Sequence, residues 1–489
     1  MTTDTAAIRL DGAAHDAATT KRNTLVIALL LVSAFVVILN ETTMGVAIPH
    51  LVGDLGITIQ AAQWLSTAFL LTMAIVIPIT GFLLQRYNTR PVFIAAMSLF
   101  SIGTLVAAVA PGFEILLVAR VIQASGTAIM MPLLFTTVLN LVPPAHRGRV
   151  IGNVSIVISV APALGPTISG FILNYLEWRW IFFLVLPIAL VALAVGARLM
   201  VNVTEPTSAR IDVASVVLAA FGFGGLVYGL SNLGTEYAIA GIIALVIGAI
   251  GLTAFIWRQL RLQRKDAALL DLRTFLSRDF SFSIGTVAVS MIALFGTIIL
   301  LPIYMQDVLG LEPITTGLVL LPGGLLMGLL APFVGRIFDK RGPRVLLVPG
   351  AIIVSVALWG MTMLSATSPI WFVVVSHVVL SLGLALLFTP LFTAGLASLT
   401  PKLYSHGSAI VGTVQQVAGA AGTALFVAIM TVGITAGVAA GSAIEDATAA
   451  GIRSAFIVGA VISLFAIPAV FFIRRPVEDP NAEWKPSGH

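Results

Sequence analysis

The stretch PITGFLLQRYNTR, residues 78–90, returns as PFVGRIFDKRGPR at residues 332–344. Pro78, Gly81, Gln85, Arg86 and Arg90 meet Pro332, Gly335, Asp339, Lys340 and Arg344, each pair 254 positions apart. Landmarks on either side agree. Pro49 and Asp54 meet Pro302 and Asp307 at an offset of 253, and Arg147-Gly148 meets His406-Gly407 at 259. A nearly constant offset over such distances means that the chain is built from two homologous halves.

Each copy of the stretch closes an apolar run. A helix needs about 20 apolar residues to cross a hydrocarbon core of roughly 30 Å. Fourteen such runs can be marked, at 25–48, 62–84, 91–110, 113–139, 149–173, 180–201, 213–232, 238–257, 280–304, 315–337, 344–365, 370–397, 408–433 and 452–473. Of 489 residues, 58% are hydrophobic and 10% charged, a balance foreign to soluble domains. Continuous rather than alternating runs exclude a β-barrel, and helices satisfy their own backbone hydrogen bonds in lipid. The first run follows Lys21 and Arg22 as a secretory signal would. It is longer than a signal's apolar region and holds no small-residue cleavage site, so it reads as a retained helix.

If the helices alternate from a cytoplasmic N-terminus, 23 of the 26 Lys and Arg fall on one side. They run from Arg9, Lys21 and Arg22 through Arg147, Arg149, Arg198, Arg210 and the basic stretch between Arg258 and Arg278 to Lys402, Arg474, Arg475 and Lys485. Arg179 and Arg453 fall outside, and Arg120 lies within a run. This asymmetry predicts a multi-pass protein of the cell membrane with both termini cytoplasmic. The net charge of +5 asks for no nucleic-acid partner, and the absence of cysteine excludes disulfides and thiolate metal sites. Runs 1–6 pair with runs 9–14 in the same orientation, and runs 7 and 8, beginning at Asp212, form an inserted hairpin. The expected units are a disordered cytoplasmic segment 1–22, a six-helix bundle 23–202, the hairpin and cytoplasmic linker 203–279, a second bundle 280–475 and a cytoplasmic tail 476–489.

Two parallel-related six-helix halves, with the loop pattern Gly-x-x-x-Asp-Arg/Lys-x-Gly-Arg/Lys after the second helix, resemble the major facilitator superfamily. The inserted hairpin is similar to its fourteen-helix branch of drug:proton antiporters, the EmrB/QacA type. Leu39-Asn40-Glu41-Thr42 with Val46-Ala47-Ile48-Pro49, Gly81 to Arg86, Trp178-Arg179-Trp180 with Leu186-Pro187, and Gly407 to Gly422 with Gln415-Gln416 resemble lincomycin-resistance-type exporters. The resemblance spans residues 25–475. It implies an all-α integral membrane protein of the major facilitator fold, with 14 transmembrane helices in two parallel-related six-helix bundles plus a central two-helix insertion. It also implies that Gly81, Arg86, Arg90, Gly335, Asp339, Lys340 and Arg344 form conformational-switch loops. Gln85 stands where the family usually has Asp, which leaves only Asp339 as an acidic element.

A charge inside a membrane span costs roughly 2.5–3.5 kcal/mol on insertion scales, so each asks for a reason. Glu41 and Arg120 both lie roughly 10–12 Å below the outer boundary at about 1.5 Å per residue. That permits an ion pair or a shared polar cavity. In a switch, protonating Glu41 releases Arg120 and a cationic or polar substrate, so that proton and drug compete; alternatively, the pair braces helix 1 against helix 4. The resemblance supports the switch, because a first-helix acid and a fourth-helix Arg couple transport in related antiporters. Asn40, Met44 and Gln123 are candidates for the cavity lining, and Asn40 and Gln123 serve equally well as glue between helices. Aligning Arg120-Val-Ile-Gln-Ala-Ser-Gly126 on His377-Val-Val-Leu-Ser-Leu-Gly383 makes His377 the counterpart of Arg120, either as a proton relay or as a neutral interhelical hydrogen-bonding group. Glu41 faces Leu294 in that alignment, so the acid is not duplicated. Gln415 and Gln416 are further cavity candidates, of which the 100° step of a helix lets one face inward.

In Ala161 to Gly170, prolines and small residues predict a tight crossing or hinge. Pro162, Gly165, Pro166 and Gly170 also resemble the superfamily's antiporter motif, the sign of export. Asp54, Asp212 and Asp307 read as caps, and Trp178, Trp180, Trp257 and Trp371 as interfacial anchors. No Gly-x-x-x-x-Gly-Lys-Ser/Thr loop offers a cradle for ATP, so no cofactor is expected and an ion gradient is the fuel, with protons suiting a single carboxylate beside an Arg. The expected partners are lipophilic or cationic small molecules, protons and membrane lipids, handled by a monomer. Lipid or metabolite translocation, or uptake, uses the same fold. A membrane-embedded transferase needs a cluster of acid, His or metal-ligand groups that the short loops lack.

Overall fold

The computed structural model describes residues 3–203, 211–232 and 237–474. The expected tail 476–489, Arg210, Arg475 and Lys485 lie outside them, as do the side chains of Arg9, Pro49 and Pro166. Among the described residues fourteen helices are long and apolar enough to cross a membrane. They are α1 (Thr3–Leu55), α2 (Ile59–Arg86), α3 (Thr89–Ala108), α4 (Phe113–Leu141), α5 (Arg147–Tyr175), α6 (Arg179–Leu199), α7 (Val213–Asn232), α8 (Ala238–Leu262), α9 (Arg278–Ile303), α10 (Pro313–Arg341), α11 (Arg344–Met361), α12 (Ile370–Ala397), α13 (Tyr404–Ala439) and α14 (Ile444–Leu464). Local chemistry sets many ends: Thr58, Asp212 and Ser277 accept backbone N–H bonds as N-caps of α2, α7 and α9, and Gly342, at φ 77°, ends α10. One boundary differs from expectation. Residues 3–22 continue α1 instead of being disordered, because the stretch is rich in alanine, the best helix former.

The repeat governs the packing. Within the first half α3 lies on α4 and α2 on α4, and within the second α11 lies on α12 and α10 on α12. The halves meet along two seams related by the same repeat, α5 against α10 and α2 against α13. The hairpin α7–α8 lies over one of them, touching α2 and α13. Its two helices are drawn together by glycines: a Cβ on Gly225 would lie 2.8 Å from Gly248 Cα, and one on Gly222 would lie 3.1 Å from Leu252 Cα. Small residues give membrane helices this close approach. Asp212 fixes the hairpin's base through Arg258, at 2.6 and 2.7 Å. Hydrogen bonds from that guanidinium, and then from Ser215, hold the Asp212 carboxyl down at about 2.

The end of the bundle that carries the basic loops is shut. There Ser155 accepts from Thr389 at 2.8 Å, Thr136 donates to Ser408 at 3.3 Å, and a Cβ on Gly152 would lie 2.6 Å from the Ala331 carbonyl oxygen. Toward the other end, Gly45 and Gly53 of α1, Gly170 of α5 and Gly317 of α10 have nothing within 4 Å of a Cβ position. The halves touch at the basic end.

Candidate functional site

Arg120 is the centre of the polar interior. It is 1% exposed on α4, and three neutral groups hold it. Its Nη1 donates to Gln123 Oε1 at 2.6 Å and to Asn40 Oδ1 at 3.2 Å, while Nε reaches the Leu65 carbonyl of α2 at 3.5 Å. Gln123 is itself fixed by donating to Thr104 Oγ1 at 2.8 Å, and the guanidinium lies 4.1 Å from the centroid of the Phe69 ring, a cation–π contact. Asn40 thus joins α1 to α4, and Gln123 joins α4 to α3, by side-chain hydrogen bonds. Asn40 keeps a buried Nδ2 without a partner.

Glu41 stands next to this cluster but outside it. Among the described residues no ion pair within 4.0 Å joins Glu41 to Arg120, although the two act on each other electrostatically. Its side chain is part-accessible, and Gly45, one turn on, faces open space. Of the ion pair and the shared polar cavity that equal depth permits, the ion pair is not formed, and a pinned cation stands beside an unclamped carboxylate. Met44 was expected in the cavity lining, but it is buried in an apolar cluster with Leu65, Leu116 and Trp178, since its position turns it toward α4 and α6. Trp178 is buried there too instead of anchoring at an interface, whereas Trp180, Trp257 and Trp371 are exposed as expected.

The residues of α5 that resemble the antiporter motif divide. Gly165 crosses α1 so closely that a Cβ would overlap Thr42, the neighbour of Glu41, and Ser169 donates to the Thr43 carbonyl at 2.9 Å. Gly170, expected in the same crossing, faces open space, and Pro162 is part-exposed. The α5 backbone therefore bears on α1 around the carboxylate through Gly165 and Ser169.

In the second half His377 is buried on α12, and its imidazole interacts with the Leu320 backbone of α10. Arg120 reaches Leu65 of α2 and His377 reaches Leu320 of α10, one residue past Val319, the counterpart of Leu65 at the 254 offset, so the two side chains make closely similar interhelical contacts. Beneath them the halves differ. Phe69 underlies Arg120, but the residue 254 positions later is Gly323, where a Cβ would lie 2.6 Å from His377 Nε2. The imidazole occupies the room that the phenyl ring fills in the first half. Its Nδ1 has no partner. Leu65, Phe69 and Gly323 were missed in the sequence, where they are three apolar or small residues among many; the 254-residue offset applied inside the runs is the signal that finds them.

Gln416 donates to the Met73 sulfur of α2 at 3.8 Å across the hairpin-covered seam, and Gln415 is part-exposed beside it. At the basic end Asp339 accepts from the Gly148 and Arg149 backbone N–H groups at 2.8 and 2.9 Å, so the second loop clamps the first turn of α5. Gly335 lies against Gly148 and Gly81 against His406. Arg90 and Arg344 work within their own halves, donating to Ala197 and Phe471 carbonyls at the ends of the sixth helices, at 2.5 and 3.0 Å. Lys340 is exposed and Arg86 part-exposed. A separate apolar cavity of about 360 Å³ lies between α2 and the hairpin, lined by residues such as Leu71, Ile75, Phe221 and Tyr228, and contains none of the charged groups above.

The family profile described as Major Facilitator Superfamily matches residues 30–423. The lincomycin resistance protein LmrB of Listeria monocytogenes is 40% identical over 458 residues, covering 92% of this chain and 96% of that protein. The protein of the same name from Bacillus subtilis is 38% identical over 456 residues, covering 91% and 95%. Among solved structures, that of the human organic anion transporter MFSD10 superposes with a TM-score of 0.63 at 12% identity, covering 92% of this chain and 99% of that one.

Proposed function

Because the chain belongs to the major facilitator superfamily, we propose that it is a proton-coupled multidrug exporter. It exchanges lipophilic or cationic amphiphilic compounds, lincosamides among them, for protons by alternating access. It works as a monomer in the cell membrane with both termini and the basic end in the cytoplasm. Residues 23–202 and 280–475 are the two moving bodies, joined by 203–279. The observation that carries this reading is the unclamped Glu41 beside a guanidinium held by Asn40, Gln123 and Leu65.

The chemistry follows from that asymmetry. Arg120 is fixed by neutral partners, so its charge does not leave when Glu41 changes state. An ionised Glu41 in a part-accessible position attracts either a proton or a cationic substrate, and one carboxylate cannot hold both. With the cytoplasmic end shut, substrate leaves and a proton arrives from outside; with the opposite end shut, the proton leaves and substrate enters. Gly165 and Ser169 couple the occupancy of this region to α5, which lines the seam with α10. His377 offers a second, neutral polar group at matching depth for substrate contact.

The test is drug-driven proton release from proteoliposomes under an imposed pH gradient, with ethidium and lincomycin as probes. Native protein releases protons when the drug is added, and Glu41→Gln binds the drug without releasing them. A variant that moves protons as the native protein does would sink the assignment.

A further inference from the structure

The two loops after the second helices are related by the repeat, yet only one carries an acid. Asp339 meets the positive end of the α5 dipole with two backbone N–H bonds. At the equivalent position Gln85 is neutral and donates instead to the Lys402 carbonyl at 2.9 Å, just before α13. The start of α13 is nevertheless met by acids, and they come from the connector between the halves.

That connector folds back on the bundle. Gln259 of α8 donates to Ser215 at 2.7 Å and accepts from the Leu269 and Leu270 N–H groups at 2.8 and 3.3 Å, which turns the chain toward α13. Arg273 then bridges Asp271 at 2.6 Å and Asp266 at 2.5 Å, and Lys402 Nζ lies 3.0 Å from Asp266. The Asp271 side chain is 5% exposed. Behind it His406, in the first turn of α13 and 3% exposed, is sandwiched between the connector and α2. Asp271 and Arg273 lie within electrostatic reach of it, its ring interacts with the Leu269 backbone, and a Cβ on Gly81 would lie 3.2 Å from its Nδ1. That Nδ1 has no hydrogen-bond partner. By the repeat, His406 stands where Arg147 stands at the start of α5.

We propose that the connector 263–277 supplies the acidic half of the second cytoplasmic latch: Asp266 through Lys402, and Asp271 beside His406, hold the α2–α13 seam shut as Asp339 holds the α5–α10 seam. The connector is then part of the gate rather than a tether, and the departure at Gln85 is compensated from outside the motif. The proposal rests on the alternating-access part of the proposed function and not on proton coupling.

The chain has no cysteine, so Ser408→Cys, buried where α13 meets Thr136, is a single reporter. Its rate of reaction with a membrane-impermeant maleimide is read in inside-out vesicles without drug or gradient. Asp266→Asn with Asp271→Asn is expected to raise that rate by about fivefold or more, and adding Gln85→Asp to restore it, because the acid returns to the position the repeat assigns. Rescue by a residue on another helix also shows that the variant is folded. An unchanged rate overturns the proposal, and so does a raised rate that Gln85→Asp does not lower. The same labelling in a Glu41→Gln background separates failure of the latch from failure of the coupling assignment.

Discussion

Gly148→Ala tests the shut end directly. In the native packing a Cβ at residue 148 would lie 2.7 Å from both the Gly335 carbonyl oxygen and Phe338 Cδ1, and would overlap the Asp339 carboxylate. Ordinary contact begins near 3.4 Å, so α5 and α10 must part by about 0.7 Å. The same displacement stretches the two bonds from Gly148 and Arg149 to Asp339, at 2.8 and 2.9 Å, to the limit of hydrogen bonding. Hydrogen bonds to a charged group contribute about 1.5–3 kcal/mol each when buried. With Arg149 exposed and solvent replacing part of the loss, about 2 kcal/mol in total is a fair magnitude, or roughly thirtyfold in the open-to-shut ratio. The assay is maleimide labelling of Ser155→Cys, buried against Thr389 toward the basic end of the interface, in inside-out vesicles, which expose that end if it is cytoplasmic as proposed. Gly148→Ala raises the rate by about that factor, and Gly170→Ala, which meets open space, leaves it alone. Equal rates in Gly148→Ala and native protein would refute the view that this crossing holds the end shut.

Three further outcomes are expected. Asn40→Ala removes one of the neutral groups holding a buried guanidinium and lowers thermal stability in detergent by about 1.5–3 kcal/mol, which a shift in the unfolding midpoint reads. Gly323→Ala displaces the imidazole from the room it occupies and reproduces the substrate range and transport pH profile of His377→Ala; a profile unlike that of His377→Ala shows that the contact is not what positions the ring. Asp212→Asn loosens the base of the hairpin by about 1 kcal/mol after discounting for the exposure of Arg258. Because the folded carboxyl is depressed to about 2 from 3.8, its contribution is present above pH 3.8, is lost as the pH falls through about 2, and is flat from pH 5 to 8. Thermal unfolding of native and variant protein at pH 3 and 7 checks that sign.

The helix count and the two-fold repeat were legible because both are written in long-range patterns: runs of apolar residues, and motifs at one offset. Depth was legible as well, since Glu41 and Arg120 could be levelled from the span ends alone. What sequence could not give was azimuth. Whether Glu41 or its neighbour Asn40 meets Arg120 depends on a 100° step around α1, and the structure gives that contact to Asn40. Met44 and Trp178 went astray for the same reason, as did Gly170, which lies five residues past Gly165 on a different face of α5. The start of α1 was misjudged because polar, alanine-rich sequence suits a solvated coil and a solvated helix alike. Gln85 was noticed as a departure, but its compensation lies in Asp266 and Asp271, about 180 residues away and outside any motif.

The hairpin over the α2–α13 seam breaks an equivalence that the repeat otherwise enforces. Two like halves create two like seams, and under the proposed alternating access each would be a side door from the bilayer to the interior. With the hairpin laid against the α2–α13 seam through α7, the α5–α10 seam is the one the hairpin leaves uncovered. For the proposed exporter, an amphiphile dissolved in the membrane would meet a handed molecule, approachable from one flank. The flank left open is the one whose helix α5 carries Gly165 against Thr42, beside the carboxylate.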